Sequence, residues 1–221
     1  MSRLDSRTSV RPLRVSTRCL TGRVALKGGG SATFESSLER DWLEILDFDP
    51  SVQRIQVQPF SLYYTHEGKR RRYTPDVLVE RVGRHGPVTT VYEVKPRDEL
   101  REHWARYRPR FRAAVAYCKA REARFKIVTE REIRIPFYEN ARFLRGYRDL
   151  RGQEEIRGSL LDMLRVLGPT TPQALLAATY WAPINQAYAI PMLWHLVAHR
   201  LIDCDLHLPL TMSTRIRLAD I

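Results

Sequence analysis

The sequence predicts an α/β protein: a mixed sheet flanked by helices, followed by a small second domain of three helices and a hairpin. Three observations lead there. Apolar residues recur at helical spacing over 33–47 and 98–122, alternate over 53–64, 73–80 and 88–94, and return to helical spacing after 158. Hydrophobic residues make up 43% of the 221, enough for an ordinary core. The net charge of +12 is divided unevenly. Residues 158–221 hold Arg165, Arg200, Arg215 and Arg217 against Asp162, Asp203, Asp205 and Asp220, so the whole excess lies in residues 1–157.

The elements follow in order. Residues 1–32 are a basic arm, with Arg3, Arg7, Arg11, Arg14, Arg18, Arg23 and Lys27 against Asp5, ending in Gly28-Gly29-Gly30-Ser31. This composition suits a solvated tail and equally an arm that orders on DNA, with Arg14, Arg18, Arg23 and Lys27 on phosphates. Phe34, Leu38, Trp42, Ile45 and Leu46 mark a helix over 33–47, capped by Thr33 or Ser31 and ended before Pro50. A strand over 53–64 carries Pro59 at a bulge or edge. After the turn Glu67-Gly68-Lys69, Tyr73 to Glu80 and Val88 to Val94 complete an antiparallel meander. A helix over 98–122 is kinked or broken at Pro109, and Phe125 to Thr129 is a short buried strand. Mixed, mainly helical sequence leads out from Ile133 to Leu150. Helix, three strands, helix, strand is the order of a restriction-endonuclease-like core over 33–150. In 158–221, Leu160 to Leu167, Pro172 to Thr179 and Pro191 to Ile202 read as helices and Leu206 to Leu218 as a hairpin, the order of a winged helix.

Cys19, Cys118 and Cys204 form no CxxC pair and no even framework, which argues against disulfides and structural zinc. No apolar run marks a secretory signal and none approaches the twenty residues of a membrane span, so a soluble cytoplasmic protein is expected. The cationic excess favours a polyanionic partner, nucleic acid before an acidic membrane surface.

The chemistry concentrates in Thr74-Pro75-Asp76 and Glu93-Val94-Lys95. Strand alternation puts Glu93 and Lys95 on one face and Val94 on the other, and an antiparallel pairing would set Asp76 beside Glu93. Oxygen-rich sites of this kind suit magnesium, with manganese as a substitute. Glu39, Asp76, Glu93 and the Val94 carbonyl are the candidate ligands. Lys95 is placed to orient water or to stabilise charge growing on a phosphate. Glu35 competes with Glu39, since positions four apart share a helix face. His66 and His85 read as surface residues, and Trp104 and Tyr107 as core. Of the arginines that follow the active strand, Arg97 and Arg101 are candidates for phosphate.

Phe34-Glu35-Ser36-Ser37-Leu38-Glu39-Arg40-Asp41, Asp49-Pro50-Ser51-Val52, Thr74-Pro75-Asp76 and Glu93-Val94-Lys95-Pro96 together resemble the TnsA family, the endonuclease subunits of heteromeric bacterial transposases. The resemblance covers about residues 10–150 and, more loosely, the C-terminal part. It implies a PD-(D/E)xK nuclease that cuts the non-transferred strand at the 5′ ends of the transposon. It also implies a partner transposase of a different fold and a regulatory ATPase bound through the C-terminal domain, and no membrane. The family's glutamate, aspartate and lysine fall on Glu39, Asp76 and Lys95. Glu93 stands where the best-known member has glutamine, closer to the general nuclease pattern. Gln56, Gln58 and Pro59 match the strand after the first helix, where Gln58 reads as a buried strand residue. A self-sufficient restriction or repair nuclease and a catalytically silent DNA-binding scaffold are the alternatives; intact Glu39, Asp76, Glu93 and Lys95 weigh against the scaffold.

Overall fold

A computed structural model describes residues 21–27, 30–84 and 86–219. Arg14, Arg18, Cys19 and His85 lie outside the described residues, as does most of the basic arm. The end of that arm is structured instead. β1 (Gly22–Ala25) pairs antiparallel with β2 (Ser31–Phe34), burying Val24, Ala32 and Phe34. The first helix therefore starts later than the periodicity alone predicts. α1 (Ser37–Phe48) is capped by Ser36, whose hydroxyl accepts the Glu39 N–H at 3.2 Å. Leu43 and Leu46 are fully buried along its inner face, each worth about 1.5–3 kcal/mol in apolar burial.

Two of the expected long strands are broken at their prolines. β3 (Val52–Val57) ends at Gln58, which takes a positive φ of 46° ahead of Pro59. The chain resumes as β4 (Leu62–His66), joined to β5 (Lys69–Tyr73) by a two-residue turn with positive φ at Glu67 and Gly68, the geometry that twists correctly into a hairpin. Thr74 and Pro75 separate β5 from β6 (Val77–Gly83), because proline has no N–H to give the ladder. β7 (Gly86–Val94) pairs antiparallel with β6 and parallel with β8 (Arg124–Val128). The main sheet thus runs β3-β6-β7-β8, mixed in direction, with β4-β5 as a separate hairpin.

Helices cover both faces of the sheet. Trp42 of α1 meets Tyr92 edge-on at 5.1 Å on one face. On the other, Leu78 and Val91 pack with Cys118 of α3 (Trp104–Lys119). The expected helix over 98–122 is two: α2 (Arg97–Glu102) stops at His103, while Pro109 lies inside an unbroken α3. The carbonyl that Pro109 cannot serve belongs to Ala105, which is exposed and so open to water. α4 (Glu130–Ile133), closed by a Thr129–Glu132 capping box, completes this unit.

The compact units divide between Arg134 and Ile135, ahead of the boundary near 150 read from the sequence. The reason is Asn140 of α5 (Pro136–Arg145), a buried amide. It donates to the carbonyls of Leu206 at 2.9 Å and Leu208 at 2.7 Å and accepts the Leu210 N–H at 3.1 Å. This unit continues with α6 (Glu154–Leu167), α7 (Pro172–Thr179) and α8 (Pro183–Ala198). α8 begins eight residues earlier than expected: Pro183, not Pro191, occupies the first turn, and Pro191 sits inside, opposite exposed Ala187. β9 (Ile202–Cys204) and β10 (Ile216–Leu218) make the terminal hairpin, with Thr170 bridged to Ile216. β10 closes the segment read as a hairpin, but β9 lies before it and opens at Ile202, read as the last residue of the helix; residues 205–215 form turns and irregular chain. Among the described residues, no helix is long and apolar enough to cross a membrane.

Candidate active site

The break at Thr74-Pro75 delivers Asp76 to the mouth of β6, beside the end of β7. Its Oδ2 accepts the Val94 N–H at 2.7 Å, and its own carbonyl accepts the Gln58 N–H at 2.7 Å. What Val94 supplies here is an N–H that aims Asp76. Oδ1 of Asp76 has no hydrogen-bond partner among the described residues. Glu93, the penultimate residue of β7, is 2% exposed and fully engaged. Tyr73 donates its hydroxyl to Oε2 at 2.5 Å, and Arg110 of α3 donates to Oε1 at 2.9 Å. Lys95 follows directly, its ammonium 3.9 Å from the same Oε1.

Glu39 enters from the first turn of α1. Its carboxylate accepts the Glu35 N–H at 2.8 Å and the Ser36 hydroxyl at 3.0 Å, a cap at the positive end of the helix. Glu35 turns instead to Gln58, whose amide donates to it at 3.1 Å. Gln58 is thus not a strand residue: its left-handed backbone, a conformation that stores about 1 kcal/mol or more, lets it touch both Asp76 and Glu35. Gln56, paired with Leu78 on β3, keeps both amide atoms buried without a hydrogen-bond partner among the described residues.

Electrostatics ties the four charged residues together. Burial, then the charge of Asp76, raises Glu39 to about 7, against the Glu35 N–H, Lys95 and Ser36. Burial and Asp76 raise Glu93 to about 8, against Lys95, Arg110 and Tyr73. Burial raises Asp76 as well, opposed by Lys95 and the Val94 N–H. Burial disfavours the charged form of Lys95, yet Asp76, Glu93 and Glu39 outweigh it and hold the ammonium charged beyond its usual range. Burial away from water is the main cause of all three shifts, and the charge of Asp76 adds to it for Glu39 and Glu93. A carboxyl that titrates near 4.5 when unfolded and near 7 or 8 when folded takes up protons on folding. Its contribution is complete below pH 4.5 and is lost as pH rises through about 7 for Glu39 and about 8 for Glu93. In chelator, the urea midpoint is therefore expected to fall from pH 5 to pH 8.5. A midpoint that rises over that interval would place these carboxylates among satisfied ion pairs.

All the candidate donors are oxygens, and the open Oδ1 of Asp76 amid raised carboxylates fits a hard divalent cation. The fit is centred on Asp76. Glu39 is turned to its own helix cap and Glu93 to Tyr73 and Arg110, and among the described residues no three Asp, Glu, His or Cys side chains stand close enough to hold one ion. The other sequence candidates have surroundings of their own. Arg23 lies on β1, and the Lys27 ammonium is taken up by the carbonyls of Asp49 at 3.2 Å and Val52 at 2.5 Å. The Arg97 N–H caps onto Glu130, and exposed Arg101 sits 3.6 Å from Asp98. Tyr73 and Arg110 were not singled out in the sequence. Arg110 is one of a run of arginines in α3, and spacing alone does not tell which of them turns inward.

Two family models match the chain. The one described as TnsA-like endonuclease N terminal covers residues 49–130, and the one described as TnsA endonuclease C terminal covers residues 132–206. The chain belongs to the TnsA family. Asp76, Glu93 and Lys95 fall inside the N-terminal match, while Glu39 precedes it. The junction of the two matches lies within a few residues of the division after Arg134. A comparison with curated proteins finds no match.

Proposed function

We propose that this chain is the metal-dependent DNA endonuclease subunit of a heteromeric transposase, hydrolysing the non-transferred strand at the 5′ ends of the transposon. The observation that carries this is the convergence of Asp76, Glu93 and Lys95 at the ends of β6 and β7 with Glu39 in electrostatic reach, in a TnsA-family chain. Asp76 would hold magnesium, or manganese in its place, through its open oxygen; Glu93 and Glu39 would join it on leaving Tyr73, Arg110 and the α1 cap, and the Val94 carbonyl would complete the set. When bound, the cation would supply Lewis-acid charge against the phosphate and activate water. The chain's own residues do the rest. The Val94 N–H fixes Asp76, Tyr73 and Arg110 fix Glu93, and Lys95 presents a permanent positive charge to an oxygen that becomes more negative during hydrolysis.

For the second unit we read a winged-helix-like, partner-binding domain. Its support is the order α6, α7, α8 and hairpin, the absence of net charge over 158–221, and the exposure of Trp181, Ile184 and Tyr188 near the start of α8. A regulatory ATPase is the partner that the family implies for it, and the cytoplasm is the expected compartment.

Strand-resolved cleavage of labelled transposon-end DNA, with magnesium or with chelator, and with or without the cognate transposase, tests the reading. Cutting confined to the 5′ strand, dependent on magnesium and on the partner, is the expected result. Cutting by the isolated chain without regard to ends would make it a free-standing nuclease. Assembly into the complex with no cutting under any condition would make it a scaffold.

A further inference from the structure

The β4–β5 hairpin carries the densest run of positive charge among the described residues: Lys69, Arg70, Arg71 and Arg72, all exposed, against Glu67 in the turn. Strand alternation sorts them. Leu62 and Tyr73 turn inward onto Tyr107 and Phe111 of α3, anchoring the base of the hairpin. Tyr63, Arg70 and Arg72 share the opposite face. Tyr63 is 58% exposed, and the Arg70 guanidinium lies over its ring at 4.3 Å. Among the described residues neither Lys69 nor Arg70 has a carboxylate partner, and Arg71 reaches Glu67 only at 3.6 Å. The charge is therefore not neutralised within the protein.

The hairpin is also wired to the candidate active site. The Arg72 guanidinium donates to the Ser61 hydroxyl at 2.9 Å, and Ser61 shares a 2.7 Å hydrogen bond with Thr74. Tyr73, the last residue of β5, holds Glu93. Arg72 precedes Asp76 by four residues, an extended reach of at most ~14 Å. Phosphates on one strand of B-DNA recur about every 3.4 Å along the axis. A strand laid over Asp76 thus passes several phosphates within range of the outer face of the hairpin.

From this geometry we infer that the outer face of the β4–β5 hairpin, through Arg70 and Arg72 with Tyr63 bracing Arg70, binds the phosphate backbone of duplex DNA next to the scissile position. The inference rests on the nuclease reading and adds to it the surface that seats the substrate. Arginine suits the task, since its planar fork grips phosphate bidentately and stays charged. An acidic protein surface is the competing occupant, but the Arg72–Ser61–Thr74 hydrogen bonds, ending two residues from Asp76, and the Tyr73 bond to Glu93 favour the substrate.

The test measures binding of a fluorescein-labelled 40-base-pair duplex to the full chain between 50 and 200 mM salt. Wild type is compared with Arg70→Gln/Arg72→Gln, with Arg70→Lys/Arg72→Lys, and with Arg121→Gln/Arg124→Gln at the far end of β8. Each phosphate that a variant no longer neutralises lowers the log–log salt slope by ~0.9. The glutamine pair is expected to lower it by about 1.8, so that its affinity loss across this salt range is about twelvefold smaller than the wild type's. The lysine pair should restore most of the slope, and the β8 pair should leave it unchanged. A wild-type slope in the glutamine pair overturns the assignment and turns the hairpin to another polyanion, while the nuclease reading stands. A slope lost in both the glutamine and the lysine pairs also overturns it, because the positions would then act through folding. A wild type that binds duplex without salt dependence removes the nuclease reading as well.

Discussion

Replacing Asp76 with alanine or asparagine is expected to lower cleavage on the order of a thousandfold or more while leaving the fold and duplex binding in place. Asp76 is the shared electrostatic neighbour of the site: its charge raises both Glu39 and Glu93 and helps hold Lys95 protonated. Removing it takes away the carboxylate with an open oxygen, on which the fit to a cation is centred. Stability should respond in two opposing ways. Alanine leaves the Val94 N–H without its acceptor, a cost of about 1–3 kcal/mol for a buried donor. Loss of the charge relieves Glu39 and Glu93, whose repulsion is greatest where they ionise. Asparagine keeps an acceptor for Val94 and gains the relief, so Asp76→Asn should match or exceed wild-type stability at pH 8 while remaining inactive. Cleavage by either variant at more than a few percent of the wild-type rate would remove Asp76 from the chemistry.

Much of the fold was legible because it rests on periodicity. The order of helix, strands, helix and strand emerges from apolar spacing, and the β6–β7 pairing places Asp76 opposite the Glu93 end of β7, as an antiparallel meander implies. The misplacements all come from groups whose effect is not periodic. Pro59 and Pro75 split long apparent strands because they cannot pair, whereas Pro109 and Pro191 stay inside helices because Ala105 and Ala187, whose carbonyls they leave open, face solvent. Ser36 with Glu39 is a capping-box signature, and reading it would have set the start of α1 correctly. The division after Arg134 depends on the hydrogen bonds of Asn140 to residues 66–70 positions away, which local pattern does not encode.

The candidate site divides in the same way. Asp76, Glu93 and Lys95 are legible because strand alternation and one turn bring them together. Tyr73, Arg110 and Gln58 are not. Tyr73 looks like a strand aromatic, Arg110 like one of many exposed arginines, and Gln58 like a strand glutamine until its positive φ turns it toward Glu35. What sets their roles is the buried carboxylate or the proline break beside them, and both exist only in the folded chain.

Arg110→Met is expected to produce the largest loss of stability outside the apolar core, and a loss that grows with pH. Glu93 is buried at 2% exposure, and breaking such a pair by removing one partner costs up to about 3–5 kcal/mol. Two features reduce that figure here. Arg110 itself is 22% exposed, and Tyr73 and Lys95 remain beside Glu93, which points to about 2 kcal/mol above pH 8, where wild-type Glu93 is ionised. Part of the loss is independent of pH, because methionine also forfeits the guanidinium's place over the Tyr107 ring at 4.0 Å. The remainder follows Glu93. Arg110 lowers the Glu93 pKa, so its removal raises the folded-state value above about 8 and leaves the unfolded value unchanged. Stability that depends on a protonated Glu93 is present below pH 4.5 and is lost as pH rises through the folded value. Near pH 5 Glu93 is protonated in both folded proteins and the variant should lag only by its packing loss. Through pH 7 the two should fall in parallel; by pH 9 the wild type has released the Glu93 proton to a paired carboxylate, whereas the variant still holds it at a cost that rises with pH, and the gap should be at its widest. Urea unfolding at pH 5, 7 and 9 measures this. A gap that stays constant across the range would mean that Arg110 acts by packing alone and that Glu93 does not rely on its charge.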